Sequence, residues 1–213
     1  MLIADSLTAG YGAHPVIREV DLRVAPGEIV GITGDSGSGK TTLARTMAGL
    51  LTPTSGTVTV DGHRPRRARG SIAMVFQSPR AATNPHFTLA QIIAEPARIR
   101  RTTVPDLAAL AITVGLTPDL LDRRPHALSD GQLQRACLAR ALAQHPRYLI
   151  LDEATAMLDA ATTATIIRLV MAHAADELGV LLISHDEPLL AAACTRIATM
   201  HEGALTTQRA SPQ

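Results

Sequence analysis

The chain is poor in aromatic residues and cysteine, which limits the composition of its core and argues against a cysteine metal site. With no Trp, two Tyr and two Phe among 213 residues, the core must be built from Ala, Leu, Ile and Val. The two cysteines, Cys137 and Cys194, lie far apart without metal-ligand spacing, which predicts two buried thiols in a reducing compartment. The formal net charge of +1 argues against a nucleic-acid binder driven by general basicity.

Long apolar stretches are also missing. No run reaches the ~18 residues needed to cross a bilayer, and the first residues lack the basic-then-apolar pattern of a signal peptide. We therefore expect a cytosolic chain that reaches a membrane only through a partner. A short basic cluster at 64–69 indicates a solvated loop with its charges pointing outward.

The apolar pattern predicts alternating strands and helices. Residues 2–24 are typical of antiparallel strands, and 57–62 of an exposed hairpin closed by an Asp-Gly turn. Further strands are predicted at 28–33, 71–77, 148–151 and 180–184, and helices at 40–51, up to about 144, and at 161–177. After these, only a short tail is expected. The alternation predicts a parallel sheet with helices on both faces.

Between residues 78 and 128 the strand signals vanish, and prolines separate helical stretches rich in Ala, Leu and Ile. This change of character predicts an inserted helical lobe. We expect one domain over 1–213, in which 1–77 and 141–213 form the core with its antiparallel β part and 78–140 form the helical subdomain.

A glycine-rich segment follows the predicted strand at 28–33 and precedes a predicted helix. It has the P-loop pattern of Gly, four residues, then Gly-Lys-Thr, and is followed by Thr42. Its residues are Gly34, Asp35, Ser36, Gly37, Ser38, Gly39, Lys40 and Thr41. Glycines let backbone N–H groups turn around phosphate oxygens, and the helix N-terminus favours an anion. Lys40 would place its charge between the β- and γ-phosphates of ATP, and the Thr41 hydroxyl would bind Mg²⁺.

Two adjacent carboxylates end the apolar run 148–151. Asp152 would orient Mg²⁺, as a Walker B aspartate does. Glu153 is then free to accept a proton from the attacking water. Such a run is weak evidence alone, but it becomes strong downstream of a P-loop.

A third motif carries a family resemblance. The segment Leu128-Ser129-Asp130-Gly131-Gln132 is similar to the Leu-Ser-Gly-Gly-Gln signature of the ATP-binding subunits of ABC (ATP-binding cassette) transporters, which the chain resembles over essentially its whole length. The resemblance implies an α/β P-loop NTPase (RecA-like) core with an antiparallel β subdomain and an inserted α-helical subdomain.

Other family elements follow in order. Tyr11 lies where the family stacks an aromatic side chain on adenine, and Gln77 begins the Q-loop, which reaches Mg²⁺ or water. Residues 156–159 resemble the D-loop, and His185 resembles the switch histidine that senses the γ-phosphate. The resemblance further implies that Ser129, Gly131 and Gln132 complete the ATP site of a second, head-to-tail ATPase subunit.

Two departures from the family pattern bear on activity. Asp130 replaces the usual Gly, and a carboxylate facing the γ-phosphate would cost about 4 kcal/mol at ~4 Å. We expect Asp130 to point away, toward the helix N-terminus. The D-loop has Ala156-Met157 where Ser-Ala is usual, which removes one hydroxyl.

The stretch from Val75 to Pro96 and the Arg124-Pro125-His126 lead-in resemble the dipeptide, oligopeptide and nickel importer branch. The implied partners are transmembrane permease subunits, a second ATPase subunit and a separate substrate-binding protein, at the inner face of the cell membrane. Members of that branch often carry a C-terminal extension, and the sequence ends soon after Gly203, so we expect either the shorter of two unlike ATPase subunits or a metal-chelate or phosphonate relative.

Two alternatives belong to other classes. One is a non-transport ABC ATPase of DNA repair or translation, but such proteins usually carry two cassettes or long coiled-coil insertions. The other is a P-loop kinase, which the signature motif and His185 disfavour. Co-purification with membrane subunits separates the first alternative, and a search for a phosphorylated product separates the second.

Overall fold

The computed structural model describes residues 1–12, 14–65, 70–156 and 158–210, with side chains up to residue 206. The strands are β1 (Leu2–Tyr11), β2 (His14–Val24), β3 (Ile29–Thr33), β4 (Ser55–Val60), β5 (Ile72–Val75), β6 (Tyr148–Asp152), β7 (Gly179–Ile183), β8 (Arg196–His201) and β9 (Ala204–Ala210). The helices are α1 (Lys40–Met47), α2 (Leu89–Arg100), α3 (Leu107–Thr113), α4 (Asp130–Leu142), α5 (Ala160–Ala175) and α6 (Glu187–Ala193), with 3-10 turns at Pro118–Leu120 and Pro125–Ala127.

The larger sheet has six strands in the order β5-β6-β7-β3-β8-β9. The first five are parallel, which confirms the predicted parallel sheet, and β9 runs antiparallel at the edge. Every residue of β6 and β7 is buried, as expected for strands covered on both faces. In register, Asp152 lies opposite Ile183, so the carboxyl ends of β6 and β7 meet at one edge of the sheet.

Side chains of the large sheet alternate between two hydrophobic clusters. Ile150 and Leu181 pack with the smaller sheet and α1, whereas Leu149 and Leu182 pack with the helices. This is the period-2 alternation of a strand buried on both sides. The sheet is therefore the middle layer between helices and a second sheet.

The smaller sheet has the order β2-β1-β4. β1 and β2 form the predicted antiparallel pair, with Leu2 opposite Val24. The prediction of an exposed hairpin at 57–62 was wrong. β4 pairs antiparallel with β1, which buries Val58 and Val60, and among the described residues only a single Val60–His63 bridge follows the turn. Most of the basic cluster at 64–69 lies outside the described residues.

The region from 78 to 128 is helical where strand signals vanish, as predicted. One detail was wrong, because Pro96 lies inside α2 instead of separating two helices. The helix continues through it because Ile92, Ile93 and Ala97 are buried, and because a capping box of Thr88 and Gln91 fixes its start. α2 and α3 pack against α4, whose side chains also contact the β5 edge.

Helix α1 is shorter than the sequence predicts. It ends at Met47 instead of residue 51, because Gly49 has a φ of +73° and the Leu50 amide donates to the Arg45 carbonyl.

Cys137 and Cys194 are both buried, as predicted. Burial raises the pKa of both thiols, that of Cys194 to about 12, so neither is reactive. No helix in the described ranges has the length and apolar character needed to span a membrane.

Candidate active site

The glycine-rich loop joins β3 to α1 and depends on three glycines. Gly34, Gly37 and Gly39 have φ values of +143°, +80° and +108°, which other residues rarely adopt. A Cβ at Gly34 would lie 2.2 Å from the Met200 carbonyl oxygen, so no side chain fits there. Asp35, Ser36 and Gly37 are exposed at the crest of the loop, and Ser38 is buried beneath it. The predicted P-loop is therefore a tight turn with an open outer side.

Lys40 is the first residue of α1 and is only 6% exposed. Its Nζ atom donates to the carbonyl oxygens of Gly34 and Asp35, both at 2.7 Å, so the ammonium lies inside the loop. The preceding residue, Gly39, offers no side-chain cap to the helix. The first amides of α1, including those of Thr41 and Thr42, are thus suited to an anion.

The turn between β8 and β9 supports the loop from behind, which sequence reasoning missed. The Gly203 amide donates to the Ser38 carbonyl at 3.0 Å, and the Arg18 amide donates to the Gly203 carbonyl at 2.9 Å. Gly203 has a φ of +83°, and a Cβ there would lie 2.2 Å from the Val16 carbonyl oxygen. The turn dipeptide Glu202-Gly203 was a signal in the sequence, but nothing local linked it to the P-loop.

Asp152 faces the loop from the end of β6. Its Oδ1 accepts a hydrogen bond of 3.2 Å from the Thr41 hydroxyl, across 111 residues of sequence. Burial raises the pKa of this carboxyl, and the neighbouring Glu153 raises it further, against the lowering effects of the Thr41 hydrogen bond, Arg45 and Lys40. The buried Asp152 and the partly buried Thr41 therefore form an oxygen-rich pair beside Lys40.

Glu153 turns in a different direction because its backbone has a φ of +48°. Its Oε2 accepts a hydrogen bond of 2.8 Å from Gln77 Nε2, just beyond β5. His185 Nδ1, beyond β7, lies 4.0 Å from the same oxygen and has an exposed ring. The three predicted catalytic side chains thus meet at the carboxyl edge of the sheet, where α/β proteins bind ligands.

The signature segment lies at the start of α4. Ser129 caps this helix, since its hydroxyl accepts from the Gln132 amide at 3.1 Å, and the Gln132 Oε1 accepts from the Ser129 amide at 2.9 Å. Gly131 lies in the same first turn. Among the hydrogen bonds of the described residues, none joins this turn to the P-loop. Hydrogen bonds in the described part of the chain therefore do not connect the two predicted phosphate-binding segments.

Comparison with known proteins settles the family. Residues 17–156 match the family model described as ABC transporter, which is more than half of the chain. This chain belongs to the ABC transporter family. As an ABC cassette, it is an ATP-binding and ATP-hydrolysing subunit of the kind that powers membrane transporters.

Several similar proteins are named as ATP-binding proteins of nickel import or of dipeptide and oligopeptide transport. The nickel import ATP-binding protein NikE of Rhodospirillum rubrum is 39% identical, over 93% of this chain and 76% of that protein. The probable D,D-dipeptide transport ATP-binding protein DdpF of Escherichia coli is 38% identical, over 88% of this chain and 61% of that protein. The oligopeptide transport ATP-binding protein OppF of Salmonella typhimurium is 36% identical, over 86% of this chain and 60% of that protein.

Solved structures agree with this fold. A dimeric ATP-binding cassette in a post-hydrolysis state, bound to ADP and Pi, matches with a TM-score of 0.91 and 25% identity, over 100% of both chains. The cbiO1 protein of Clostridium perfringens, part of an ABC transporter complex, matches with a TM-score of 0.82 and 26% identity, over 99% of this chain and 88% of that chain. The predicted P-loop NTPase fold is confirmed.

Within the ABC cassette, Tyr11 ends β1 with half of its surface exposed. Its hydroxyl accepts a hydrogen bond of 3.1 Å from Arg45 on α1. The ring is therefore held on the side of the P-loop helix, with surface available to a base. Its predicted contact with adenine remains a prediction.

The D-loop residues Ala156 and Leu158 border an open cleft of about 450 Å³ that Glu153 and His185 also line. Asp159 caps α5, and hydrogen bonds from the backbone and side chain of Thr162 lower its pKa. Met157 lies outside the described residues. The cleft places the D-loop beside the Glu153 carboxylate.

At the start of α4, Asp130 forms an ion pair with an arginine. It is the first residue of α4, and its Oδ1 accepts a hydrogen bond of 2.6 Å from Arg80 Nε. The expectation that it lies at the helix N-terminus fits this arrangement. The arginine partner, 50 residues earlier in the chain, was not predicted.

Proposed function

We propose that this ABC cassette is the ATPase subunit of an importer for peptides, nickel or a metal chelate. The importer names of the relatives at 36–39% identity support this cargo class. In this role the chain lies at the cytoplasmic face of the membrane, bound to permease subunits that work with a separate substrate-binding protein. Nucleic acid is no partner.

The observation that carries the catalytic proposal is the position of Glu153 Oε2 near the Thr41–Asp152 pair. This oxygen accepts a hydrogen bond from Gln77 and lies 4.0 Å from His185 Nδ1. Glu153 accepts a proton from water as the water oxygen bonds to the γ-phosphorus and the bond to the β-phosphate oxygen breaks, leaving ADP and phosphate. Gln77 orients the carboxylate through its amide, and the exposed His185 ring is free to donate to the γ-phosphate.

Thr41 and Asp152 fit a Mg²⁺ ion. Both supply the hard oxygen atoms that this ion prefers, and a cation would offset the cost of burying the Asp152 carboxylate. Within the described residues no group of three or more acidic, His or Cys side chains could hold a metal. One or two protein ligands suffice, however, when phosphates and water complete the coordination. Bound Mg²⁺ would neutralise charge developing on the phosphates, with Gln77 near it.

Among the described residues no hydrogen bond joins the Ser129 turn to the P-loop, which supports a site shared between two subunits. We propose that Ser129, Gly131 and Gln132 complete the nucleotide site of a second ATPase subunit in a head-to-tail dimer, and that residues 78–140 form the helical subdomain that carries them. The exposed Ser129 and the N-terminus of α4 supply a hydroxyl and amides for the γ-phosphate. The dimeric cassette bound to ADP and Pi supports this arrangement.

Two substitutions test the site. We expect Glu153→Gln to bind ATP normally, to lose about 100-fold or more in turnover and to accumulate an ATP-bound dimer, measured by phosphate release and sedimentation. Glu177→Gln is a matched control, since Glu177 also has a positive φ but lies two residues after the end of α5, away from the site. We expect Lys40→Ala to weaken ATP binding at least about tenfold. Normal hydrolysis by Glu153→Gln would disprove the general-base assignment.

The importer assignment has its own test. A tagged chain should co-purify from cells with membrane-spanning subunits, and uptake of nickel or of a peptide should stop in cells that carry Lys40→Ala. A chain that instead co-purifies with ribosomes or DNA-repair proteins would contradict the importer.

A further inference from the structure

Arg80 lies three residues after Gln77 and binds the segment that leads into the signature motif. Its Nε donates to Asp130 Oδ1 at 2.6 Å, while its two terminal nitrogens donate to the carbonyl oxygens of Pro125 and Leu128, both at 3.1 Å. All three nitrogens of one guanidinium are thus engaged. They hold both ends of the 3-10 turn Pro125–Ala127, immediately before Ser129.

Two more hydrogen bonds join the same stretch to α4. Gln134 Nε2 donates to the Phe76 carbonyl at 2.9 Å, and an Arg140 terminal nitrogen donates to the Ala82 carbonyl at 2.8 Å. The stretch from Phe76 to Ala82, which we call the Q-segment, is therefore attached to α4 at both ends and through Arg80 between them. In contrast, the side chain of Gln77 reaches across to Glu153 in the core.

We propose that Arg80 is a positioning residue that couples the Q-segment to Ser129, so that a displacement of the Q-segment carries the signature turn with it. The inference deepens the proposed function, because it assumes that Ser129 completes the site of a second subunit. Asp130, where the family signature usually has Gly, supplies the carboxylate that fixes the guanidinium. The departure thus provides a specific contact instead of a repulsive charge.

The geometry gives Arg80 a role that a different cation cannot fill. A guanidinium is planar and presents its donors in a fixed fork, whereas a lysine ammonium is a point charge on a flexible stem. Loss of Arg80 would leave the Pro125 and Leu128 carbonyls to water and free the turn before Ser129. Loss of the Asp130 carboxylate would leave two of the three hydrogen bonds in place. We therefore expect Arg80 to matter more than Asp130.

The first test measures the turn in the full chain without nucleotide. In Arg80→Ala, hydrogen–deuterium exchange of the amides of 127–133 should be about tenfold faster than in the unchanged protein. Arg80→Lys should exchange about as fast as Arg80→Ala, because an ammonium does not replace the guanidinium fork. Asp130→Gly should give a smaller increase. Arg98→Ala is the matched control, because the Arg98 side chain is exposed and makes no hydrogen bond or ion pair within the described residues. Unchanged exchange in Arg80→Ala would overturn the proposal.

The second test measures dimerisation in the Glu153→Gln background. Arg80→Ala should weaken the ATP-induced dimer about tenfold, while the affinity of the monomer for ATP stays within about twofold. Adding Asp130→Gly to Arg80→Ala should change dimerisation less than about twofold, since the partner is already lost. The coupling would be refuted if Asp130→Gly weakened the dimer by the same factor with and without Arg80→Ala. It would also be refuted if Arg80→Ala left the dimer unchanged. If Glu153→Gln alone does not dimerise, the proposed shared site fails first.

Discussion

The buried carboxylate of Asp152 gives an unusual prediction, in which one substitution stabilises the protein and abolishes its activity. Asp152 is 3% exposed and its charge is balanced only at a distance by Lys40 and Arg45, so burial raises its pKa. An Asp152→Asn side chain keeps an oxygen that can accept the Thr41 hydrogen bond. It removes the cost of burying the charge, which we place at roughly 1–3 kcal/mol.

The pH dependence follows from the direction of the shift. A raised pKa in the folded state means that the native protein binds this proton more readily than the unfolded chain, whose ordinary value is 3.8. The stabilising contribution is complete below that value and is lost as pH rises through the folded pKa. Above its folded-state pKa, the ionised Asp152 therefore destabilises the native protein. The advantage of Asp152→Asn should be full at pH 7 and shrink as pH falls toward 3.8.

Thermal unfolding without nucleotide measures this effect. A gain of about 1–3 kcal/mol corresponds to a rise in Tm of roughly 2–12 °C for a chain of this size. Asp176→Asn is the control, because Asp176 is exposed at the end of α5 and should leave Tm nearly unchanged. Asp152→Asn should also lose ATP hydrolysis, and it should lose the Mg²⁺-dependent part of the stabilisation that ATP provides. A lower Tm for Asp152→Asn at pH 7 would refute the argument.

Two further predictions concern the supports of the nucleotide site. Gly203→Ala should lower Tm by several degrees and weaken ATP binding several-fold, because the added Cβ meets the Val16 carbonyl behind the P-loop. Gly62→Ala is the control, since Gly62 has a similar φ of +80° but an added Cβ there would have no atom within 4 Å. It should cost only the backbone strain of about 1 kcal/mol. Tyr11→Ala should raise the Kd for ATP by about 5- to 30-fold in a fluorescence titration. Tyr11→Phe, which loses only the Arg45 hydrogen bond, should change it less than about threefold. Equal effects of the two Tyr11 substitutions would contradict stacking.

The parts of the site that the sequence predicts are those set by neighbouring residues. An apolar strand, a glycine-rich turn and Lys40 at the start of a helix follow one another in the chain, so local pattern determines the P-loop. The same holds for β6 and its two terminal carboxylates. In each case the conformational preference of the segment agrees with its place in the fold.

Contacts between distant segments were not predictable in this way. The Gly203 amide reaches Ser38 only because β8 lies beside β3 and carries the turn behind the loop. Arg80 meets Asp130 because α4 packs on the β5 edge, 50 residues from the arginine. Neither residue has a spacing or composition that marks its partner. Pairings of this kind follow from the order of strands and the packing of helices.

The end of β6 shows how one strand serves two different roles. Side chains alternate across a strand, so Asp152 enters the buried layer beside Thr41. Glu153 leaves the extended conformation at a φ of +48°, and its amide donates to the Ile183 carbonyl at 3.0 Å. That left-handed residue costs on the order of 1 kcal/mol. It turns the second carboxylate toward Gln77, so a buried and a partly exposed acid lie side by side, one suited to a metal ion and one to water.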